Sequence, residues 1–300
     1  MQVDLGDLNA FVAVARAKGF REAARLADAS ASGPSEAVRR LGAQLGVRLL
    51  HRTTRSVSPT EAGERLLARL TPALSEVQAA LDVVNTFRGR PVGTLKLNVP
   101  TSAARLVLPS IIPRFLDAYP EIRLDIVADE SFVDILAAGC DAGIRYDDRL
   151  EQDMIAVPIG PRSQRFATAA APAYLARRGR PAPPRGLPAH ACLGGRFASG
   201  AVPAWEVGRD GEGGRVEPSG PLVVQIGGAV DLVVDAACAG VGIVHLYEDW
   251  LAPQLARGAL EPVLDAWGRP FSGPYLYYPG RRFVPAPLRA FVDFIKADAA

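Results

Sequence analysis

The chain is poor in the residues that build disulfide frameworks, metal centres and acid–base catalysts. It contains three cysteines and three histidines among 300 residues. Cys140, Cys192 and Cys238 are an odd number with no close pair, which excludes a disulfide framework or zinc-ligand spacing and predicts a reducing compartment. We expect no cofactor and no metal, and three histidines provide few groups for acid–base catalysis. The composition therefore argues against an enzyme.

Long apolar runs are also missing. No stretch of about 18 consecutive apolar residues is present, so no transmembrane helix is predicted. The N-terminal MQVDLGDLNAF carries two early acidic residues and lacks the basic start and apolar run that mark a signal peptide. These two absences predict a cytoplasmic protein with no membrane partner.

Charge is distributed unevenly along the chain. Residues 1–60 contain nine basic side chains and five acidic ones, a surplus larger than the net charge of +2 for the whole chain. The remaining residues are therefore slightly acidic. A basic end on a near-neutral body is typical of a nucleic-acid-binding module attached to a second domain, and 300 residues are enough for about two domains.

The pattern over residues 1–58 predicts three short helices followed by a hairpin. Apolar residues recur at helical spacing over 5–17, residues 21–28 are rich in good helix formers, and a third amphipathic segment stops at Gly46. Residues 47–58 are rich in β-branched side chains and arginine, which predicts a two-stranded hairpin. Short helices joined by tight turns indicate a helix-turn-helix, and the hairpin would form its wing.

One long helix is predicted over residues 59–88, with a start signal at Ser58, Pro59 and Glu61. Leucine and valine recur in it at steps of three and four residues, which is the pattern of a coiled-coil seam. The predicted dimerisation residues are Leu70, Leu74, Val77 and Leu81. Because a lone helix cannot bury such a stripe against itself, a second copy of the helix is the simplest partner. Residues 89–92 form a hinge.

Strands and helices alternate over residues 93–300, which predicts an α/β domain with parallel strands and helical crossovers. The pattern restarts near residue 165, so we expect two lobes. The first covers about 93–161 and 268–300, and the second about 162–267. In such folds a ligand binds where the carboxyl ends of strands meet the amino ends of helices.

Two strand-to-helix junctions, at Thr101 and at Gly227, are predicted to carry free backbone N–H groups. Such groups favour a carboxylate or a similar anion, and simple helix capping is the alternative. An arginine and a tyrosine end the strand DAGIRY near the same cleft, although an arginine there also suits a structural ion pair. The candidate effector-binding residues are Thr101, Ser102, Arg145, Tyr146, Gly227 and Gly228. We interpret His245, which ends an apolar strand, as a packed structural residue.

Several stretches resemble one family. FREAARL, SEAVRRL and QLGVRLLHRTTRSVSPTEAG are similar to the N-terminal signature of LysR-type transcription regulators, and DAGIRY, FATAAAPAYL and AGVGIVHL resemble their effector domain. The resemblance covers essentially the whole chain. It implies a winged helix-turn-helix head, a long linker helix and a two-lobed, periplasmic-binding-protein-like effector domain. It also implies a homodimer or homotetramer whose partners are promoter DNA, a small-molecule effector and RNA polymerase.

Two other interpretations fit less of the sequence. A transport solute receptor would share the two-lobed domain, but it would need a signal peptide and would have no DNA-binding head. An architectural DNA-binding protein that senses no ligand would leave the two-lobed domain without a role.

DNA contacts are expected from the third helix and the wing. A recognition helix presents short polar and bidentate side chains to base edges in the major groove. Arg39 lies one turn after Ser35 on the same face and can reach a guanine or a phosphate, whereas Arg40 points elsewhere. A solvated helix face is the alternative, and the adjacent basic wing favours DNA. The candidate DNA-binding residues are Ser32, Ser35, Glu36, Arg39, Arg52, Thr53 and Arg55.

The third helix departs from the family pattern at three positions. Gly33 and Pro34 replace the usual helix formers, and Gly42 replaces the usual glutamate. Proline costs no hydrogen bond only within the first turn, and an interior glycine costs about 1 kcal/mol relative to alanine. We expect these departures to bear on DNA affinity or operator choice and to leave the fold unchanged.

Overall fold

The computed structural model describes residues 3–26, 32–52, 57–85, 91–130, 139–146, 154–209, 212–280 and 284–298. The chain divides into a smaller compact unit that holds the residues up to Arg90 and a larger one that holds most of the chain from Pro91 onward. Each helix of the described residues is too short or too polar to cross a membrane.

The first unit begins with three helices and an antiparallel hairpin. Its elements are α1 (Leu5–Ala17), α2 (Phe20–Leu26), α3 (Ser32–Leu45), β1 (Leu50–Arg52) and β2 (Val57–Pro59). His51 is paired with Ser58 across the hairpin. The side chain of Asp4 caps α1 by accepting a hydrogen bond from the Gly6 amide at 2.7 Å. The winged helix-turn-helix predicted from the sequence is confirmed, and the tip of the wing lies outside the described residues.

The head has a core of its own. Phe11 and Val14 of α1 and Leu41 of α3 are fully buried and belong to one apolar cluster. Burying a side chain of this size stabilises a fold by roughly 1.5–3 kcal/mol. Gly46, at φ +68°, ends α3 in the left-handed conformation that glycine adopts without strain, as its position in the sequence predicted.

The unusual residues of α3 fit its geometry. The described part of the helix runs from Ser32, and Pro34 lies in its first turn, where backbone N–H groups have no intrahelical partner among the described residues to lose. At the other end, the carbonyl of Gly42 accepts a hydrogen bond from the Val47 amide at 3.2 Å. A Cβ on Gly42 would lie 3.2 Å from the Val47 carbonyl oxygen. The glycine therefore lets the chain fold back closely against the end of α3.

The long helix, α4 (Glu61–Asn85), starts against the wing. Thr60 caps it, since its Oγ1 accepts a hydrogen bond from the Gly63 amide at 3.1 Å. The predicted start at Ser58 is wrong because Ser58 and Pro59 pair in β2. A Cβ on Gly63 would overlap the Leu49 carbonyl oxygen, so glycine is needed where α4 crosses the chain leading into β1.

The second unit has both α and β elements throughout. In chain order they are β3 (Gly93–Val99), α5 (Thr101–Leu106), α6 (Leu108–Ala118), β4 (Ile122–Ala128), β5 (Ala142–Arg145), β6 (Met154–Pro158), β7 (Ser163–Ala170), α7 (Pro172–Arg178), β8 (Cys192–Arg196), β9 (Trp205–Arg209), β10 (Glu212–Val216), β11 (Val223–Gln225), α8 (Val230–Cys238), β12 (Ile243–Tyr247), α9 (Glu248–Ala256), β13 (Glu261–Val263), β14 (Pro270–Ser272), β15 (Tyr275–Pro279) and α10 (Ala286–Asp298). Single 3-10 turns occur at Pro184–Ala189 and Asp265–Trp267.

A five-stranded sheet forms the first lobe, in the order β4-β3-β5-β15-β6. β3 is parallel to β4 and β5, whereas β15 is antiparallel to β5 and β6. Leu95 and Leu97 of β3 are fully buried. Phe115 of α6 and Phe291 of α10 pack edge to face with ring centroids 4.9 Å apart. The end of the chain thus returns to complete the lobe in which this unit begins.

The second lobe has a six-stranded sheet in the order β11-β8-β12-β7-β13, with β14 also on β7. β8 is parallel to β11 and β12, but β7 is antiparallel to β12, β13 and β14. Both lobes thus contain the predicted parallel pairs, and each sheet also contains antiparallel pairs that the prediction of a parallel sheet did not include. Because β14 pairs with β7, this lobe extends to Ser272, beyond the boundary near residue 267 drawn from the sequence.

Candidate functional site

The exposed face of α3 carries a preformed ion pair. Arg39 donates to Glu36 from Nε to Oε2 at 3.1 Å and from Nη2 to Oε1 at 2.5 Å. The hydrogen bonds from Arg39 lower the pKa of the Glu36 carboxyl. Both side chains are exposed, and an exposed pair contributes little to stability, so Arg39 can leave Glu36 for another acceptor. Ser35 is half-buried, and the Ser32 side chain lies outside the described residues.

Arg40 points away from this face, as predicted, and binds Asp7 of α1. Its Nη2 donates to Oδ1 at 2.6 Å and its Nε to Oδ2 at 3.2 Å. Asp7 is 2% exposed, so the pair holds a buried carboxylate. The pair joins α3 to α1 and thereby orients the face that carries Arg39. Sequence reasoning missed Asp7, although an acid within the apolar pattern of the first helix was a signal of a buried partner.

We expect Arg40→Ala to lower the melting temperature of the head and to weaken specific DNA binding by roughly tenfold or more. The substitution leaves the Asp7 carboxylate buried without its partner and frees α3 to shift on α1. Thermal unfolding followed by circular dichroism and fluorescence anisotropy on an operator fragment measure the two effects.

The control for this experiment is Arg65→Ala, which removes an Arg–Glu pair on α4 in which both side chains are about four-fifths exposed. The control is expected to change neither quantity. If Arg40→Ala behaves like the control, the Asp7 pair does not position α3.

The wing contributes one described candidate, Arg52. It is exposed, and its guanidinium carbon lies 4.8 Å from the centroid of the Phe20 ring. At the base of the hairpin, the Val57 amide donates to the Lys18 carbonyl at 3.2 Å. These two contacts join the wing to the start of α2. The other wing candidates, Thr53 and Arg55, lie outside the described residues.

The apolar stripe of α4 has two different environments. Leu70 is buried in the core of the head, and Leu74 packs partly buried against the same core. Val77, by contrast, is 42% exposed. Leu81 belongs to α4, but its side chain lies outside the described residues. The prediction of one intermolecular seam is therefore wrong for Leu70, because the head of the same chain already covers it.

A cleft of about 890 Å³ opens in the second unit. Thr101, Ser102 and Glu130 line it from the first lobe, and the second lobe supplies most of the remaining lining. Thr101 and Ser102 are thus brought to the cleft as predicted. Gly227 lies beside it, where its carbonyl accepts a hydrogen bond from Thr101 Oγ1 at 3.4 Å. The lining residues do not include the other three candidates, Arg145, Tyr146 and Gly228.

The amide of Thr101 is already occupied. It donates to Oε1 of Glu130 at 2.7 Å, so a carboxylate of this chain takes the position predicted for an anionic ligand. The expectation of a free N–H group at this junction is wrong. The partner is 29 residues away in sequence and follows a different strand, so the local pattern around Thr101 contained no sign of it.

Arg145 has a structural role. It donates to the Ile144 carbonyl at 2.7 Å and to Oδ1 of Asn98 at 2.6 Å, and Asn98 is 2% exposed. Its guanidinium also lies 5.6 Å from the centroid of the Tyr277 ring. These contacts hold β5 to its neighbours β3 and β15. The contacts therefore favour a structural role, with a carbonyl and a side-chain amide as acceptors where the sequence suggested an ion pair.

A group of hydroxyls lies at one end of the cleft. Tyr146 and Tyr247 pack with ring centroids 5.4 Å apart, and the Ser102 hydroxyl lies beside both phenols. Burial raises the pKa of both tyrosines, so both are neutral at physiological pH. Within the described residues, the buried Tyr146 hydroxyl has no hydrogen-bond partner of regular geometry. Tyr146 does not line the cleft, but it packs on Tyr247, which does.

Four rings form a stack along the second-lobe side of the cleft. Neighbouring centroids are 5.0 Å apart for Phe271 and Phe166, 5.1 Å for Phe166 and His245, and 5.2 Å for His245 and Trp205, with interplanar angles of 22–26°. All four side chains line the cleft. We call Phe271, Phe166, His245 and Trp205 the ring stack. The sequence did not predict it.

His245 is both a packed residue and part of the cleft wall. Its Nδ1 lies 2.8 Å from Oγ1 of Thr168, its cross-strand neighbour on β7. Burial lowers the pKa of His245 to about 4, so the imidazole is neutral at physiological pH. The sequence predicted a packed structural residue at His245, but it did not predict that the imidazole lines the cleft. His245 and Tyr247, two residues apart on one face of their strand, were a signal of this wall.

Comparison with known families assigns the chain. The model described as bacterial regulatory helix-turn-helix protein, lysR family, matches residues 5–64. The model of the LysR substrate binding domain matches residues 88–300. The chain belongs to the LysR family of bacterial transcription regulators. It is a DNA-binding regulator with a domain for a small-molecule effector, as the sequence predicted, and the family is not enzymatic.

Relatives of this LysR-family protein match it over its length. The HTH-type transcriptional regulator YcaN of Escherichia coli is 39% identical over 296 residues, which are 99% of this chain and 96% of that protein. PgrR of the same organism is 35% identical and covers 99% of this chain, with 98% of its own length matched. CrgA of Neisseria meningitidis, a solved LysR-type regulator, is 28% identical, with a TM-score of 0.59 and 99% of both chains covered.

Proposed function

We propose that this LysR-type regulator binds promoter DNA as a dimer and that a small molecule in the cleft of its second unit changes its DNA affinity or geometry. The observation that carries the proposal is a cleft of about 890 Å³ lined by side chains from both lobes of one unit. A ligand that contacts both lobes binds one arrangement of them better than others and shifts the population toward it. A change in effector-domain packing then re-spaces the paired heads.

DNA contacts are assigned to the exposed face of α3 and to the wing. Arg39, with Glu36 beside it, reads a base edge, and Arg52 contacts a phosphate. Ser35 lies on the same face as Arg39 and joins the contact surface. From the sequence pattern we assign Ser32, Thr53 and Arg55 to the same surface.

Dimerisation is assigned to α4 from Val77 onward, where the apolar stripe continues beyond the core of the head. Leu81 follows Val77 by four residues and lies on the same helix face. Two copies of this segment would hold two heads at a fixed separation, which suits paired half-sites. RNA polymerase is proposed as a further partner, on the family resemblance alone.

The effector is assigned to the cleft rather than to all the residues chosen from the sequence. Thr101 and Ser102 stay as contacts, and Gly227 shapes the edge through its hydrogen bond from Thr101. Arg145 holds β5 in its sheet, Tyr146 packs on Tyr247 of the cleft wall, and Gly228 has no described contact that gives it a role. Phe166, His245 and Trp205 join the proposed contacts.

DNA binding is expected to fall steeply as salt rises, because each neutralised phosphate releases counterions. The logarithm of the binding constant should decrease linearly with the logarithm of salt concentration, by roughly 0.9 per phosphate contact. Arg52→Gln should reduce this slope by about one. Titration of a palindromic promoter fragment at several salt concentrations, with sedimentation of the complex, measures slope and stoichiometry.

The matched control for this titration is Arg65→Gln, which changes an exposed arginine on α4 and should leave the slope unchanged. A salt-independent affinity would contradict the proposal. So would a single chain bound to the palindromic fragment.

A further inference from the structure

The ring stack gives the cleft a wall suited to flat aromatic surfaces. Its four rings are nearly parallel, and successive centroids are separated by 5.0–5.2 Å. Cross-strand pairing builds it, since Phe166 and His245 lie on the adjacent antiparallel strands β7 and β12. Aromatic pairs prefer offset-stacked or edge-to-face arrangements, and such pairs are stabilised beyond their buried area. A planar aromatic ligand can therefore extend the stack or pack against its ring edges, which a saturated ligand does less well.

The wall and the interior carry little positive charge. His245, the one titratable ring of the stack, is neutral at physiological pH because burial lowers its pKa to about 4. The described arginines of the lining, Arg215 and Arg269, are exposed to solvent, which screens their charge. An anionic ligand could pair with these two arginines only in a solvent-exposed position, where an ion pair gains little.

The lining of the cleft also contains a carboxylate and hydroxyls, close to the ring stack. Glu130 lines the cleft, and the Thr101 amide uses one of its carboxylate oxygens. A carboxylate has about four lone-pair sites, so Glu130 can accept a further hydrogen bond from a ligand. Ser102 and Tyr247 lie on the same side, and Tyr247 contacts the stack at Phe166 with ring centroids 4.7 Å apart. A ligand on the stack is thus placed to direct a donor toward the carboxylate.

We propose that the effector is an uncharged, planar aromatic compound that carries a hydroxyl or N–H donor. Its ring packs on the ring stack, and its donor is accepted by Glu130. The negative charge of Glu130 repels a ligand carboxylate, which replaces the expectation of an anionic effector. This inference rests on the proposed function, since it takes the cleft as the effector site.

Four small probes test the ligand class by calorimetry on the full-length protein. 2-Naphthol is planar and donates a hydrogen bond, decahydro-2-naphthol is not planar, 2-methoxynaphthalene has no donor, and 2-naphthoate is an anion. We expect 2-naphthol to bind about tenfold more tightly than decahydro-2-naphthol and 2-naphthoate, and about fivefold more tightly than 2-methoxynaphthalene.

Two variants locate the effects. Glu130→Gln removes the charge and leaves one acceptor oxygen in place of two. It should therefore strengthen 2-naphthoate binding several-fold and weaken 2-naphthol binding several-fold, because a neutral amide accepts a weaker hydrogen bond than a carboxylate. Phe166→Leu should abolish the preference for 2-naphthol over decahydro-2-naphthol. Phe294→Leu, a matched change in α10 of the first lobe, should preserve that preference.

The outcomes separate the ligand class from the proposed function. Tightest binding of 2-naphthoate, equal binding of the planar and saturated alcohols, or no binding of any probe overturns the aromatic class and leaves DNA binding untouched. If 2-naphthoate binds best and shifts operator affinity, the cleft still regulates and takes anions. If 2-naphthol binds as expected but operator affinity never responds, the ligand class stands and the regulatory role of the cleft falls.

Discussion

Val77→Asp combined with Leu81→Asp is expected to dissociate the dimer while each head stays folded. Val77 is 42% exposed in one chain, so the substitution leaves the core of the head intact. In a paired α4 helix the two changes would bury four carboxylates where four apolar side chains packed, at a loss of roughly 1.5 kcal/mol or more for each lost side chain. The dimer dissociation constant should rise at least about a thousandfold.

Sedimentation and DNA binding on one and two half-sites measure the effect of this double substitution. Affinity for paired half-sites should fall far more than affinity for a single half-site, because the two heads lose their fixed separation. Ala68→Asp is the control, since Ala68 is exposed on α4 and lies off the stripe. A double variant that remains dimeric and binds paired sites normally would show that α4 is not the dimer interface.

Leu70→Asp serves as the opposite comparison. Leu70 is 9% exposed and belongs to the core of the head, so this change should unfold the head rather than separate two folded chains. Circular dichroism and single-half-site binding distinguish the two results. The contrast tests the division of one apolar stripe into an intramolecular part and an intermolecular part.

Arg39→Ala is expected to weaken binding to the operator by roughly tenfold to a hundredfold and binding to random DNA by much less. Arg39 lies exposed on α3, and its bidentate geometry with Glu36 is the geometry with which an arginine reads a guanine. Competition of labelled operator with random-sequence DNA at one salt concentration gives both affinities.

A close control for Arg39 exists on the neighbouring helix. Arg25 binds Glu22 with the same three-residue spacing, at 3.1 Å and 2.6 Å, and both side chains are exposed. Because α2 lies before the recognition helix, Arg25→Ala should not change the ratio of specific to random affinity. Equal losses on the two DNAs for Arg39→Ala would reassign Arg39 to phosphate positioning.

The local elements could be predicted from the sequence because their signals lie within a few residues. Apolar spacing located α1 and α3, and Gly46 marked the end of α3 through its left-handed conformation. The polar face of α3 followed from the same spacing, which also separated Arg39 from Arg40. Helical periodicity is a short-range property, so the chain around each element was sufficient.

The partner of each face was decided only by the tertiary structure. The stripe of α4 was visible in the sequence, but whether Leu70 packs on its own head or on a second copy depends on how α4 crosses the hairpin. Likewise, the junction at Thr101 was recognised, but its amide is taken by Glu130 from the end of another strand. The ring stack required four residues from four strands, Phe166, Trp205, His245 and Phe271, to meet. Periodicity indicates which side of an element is apolar or polar. Contacts between distant residues depend on strand order and register, and the spacing of residues along the sequence carries no information on either.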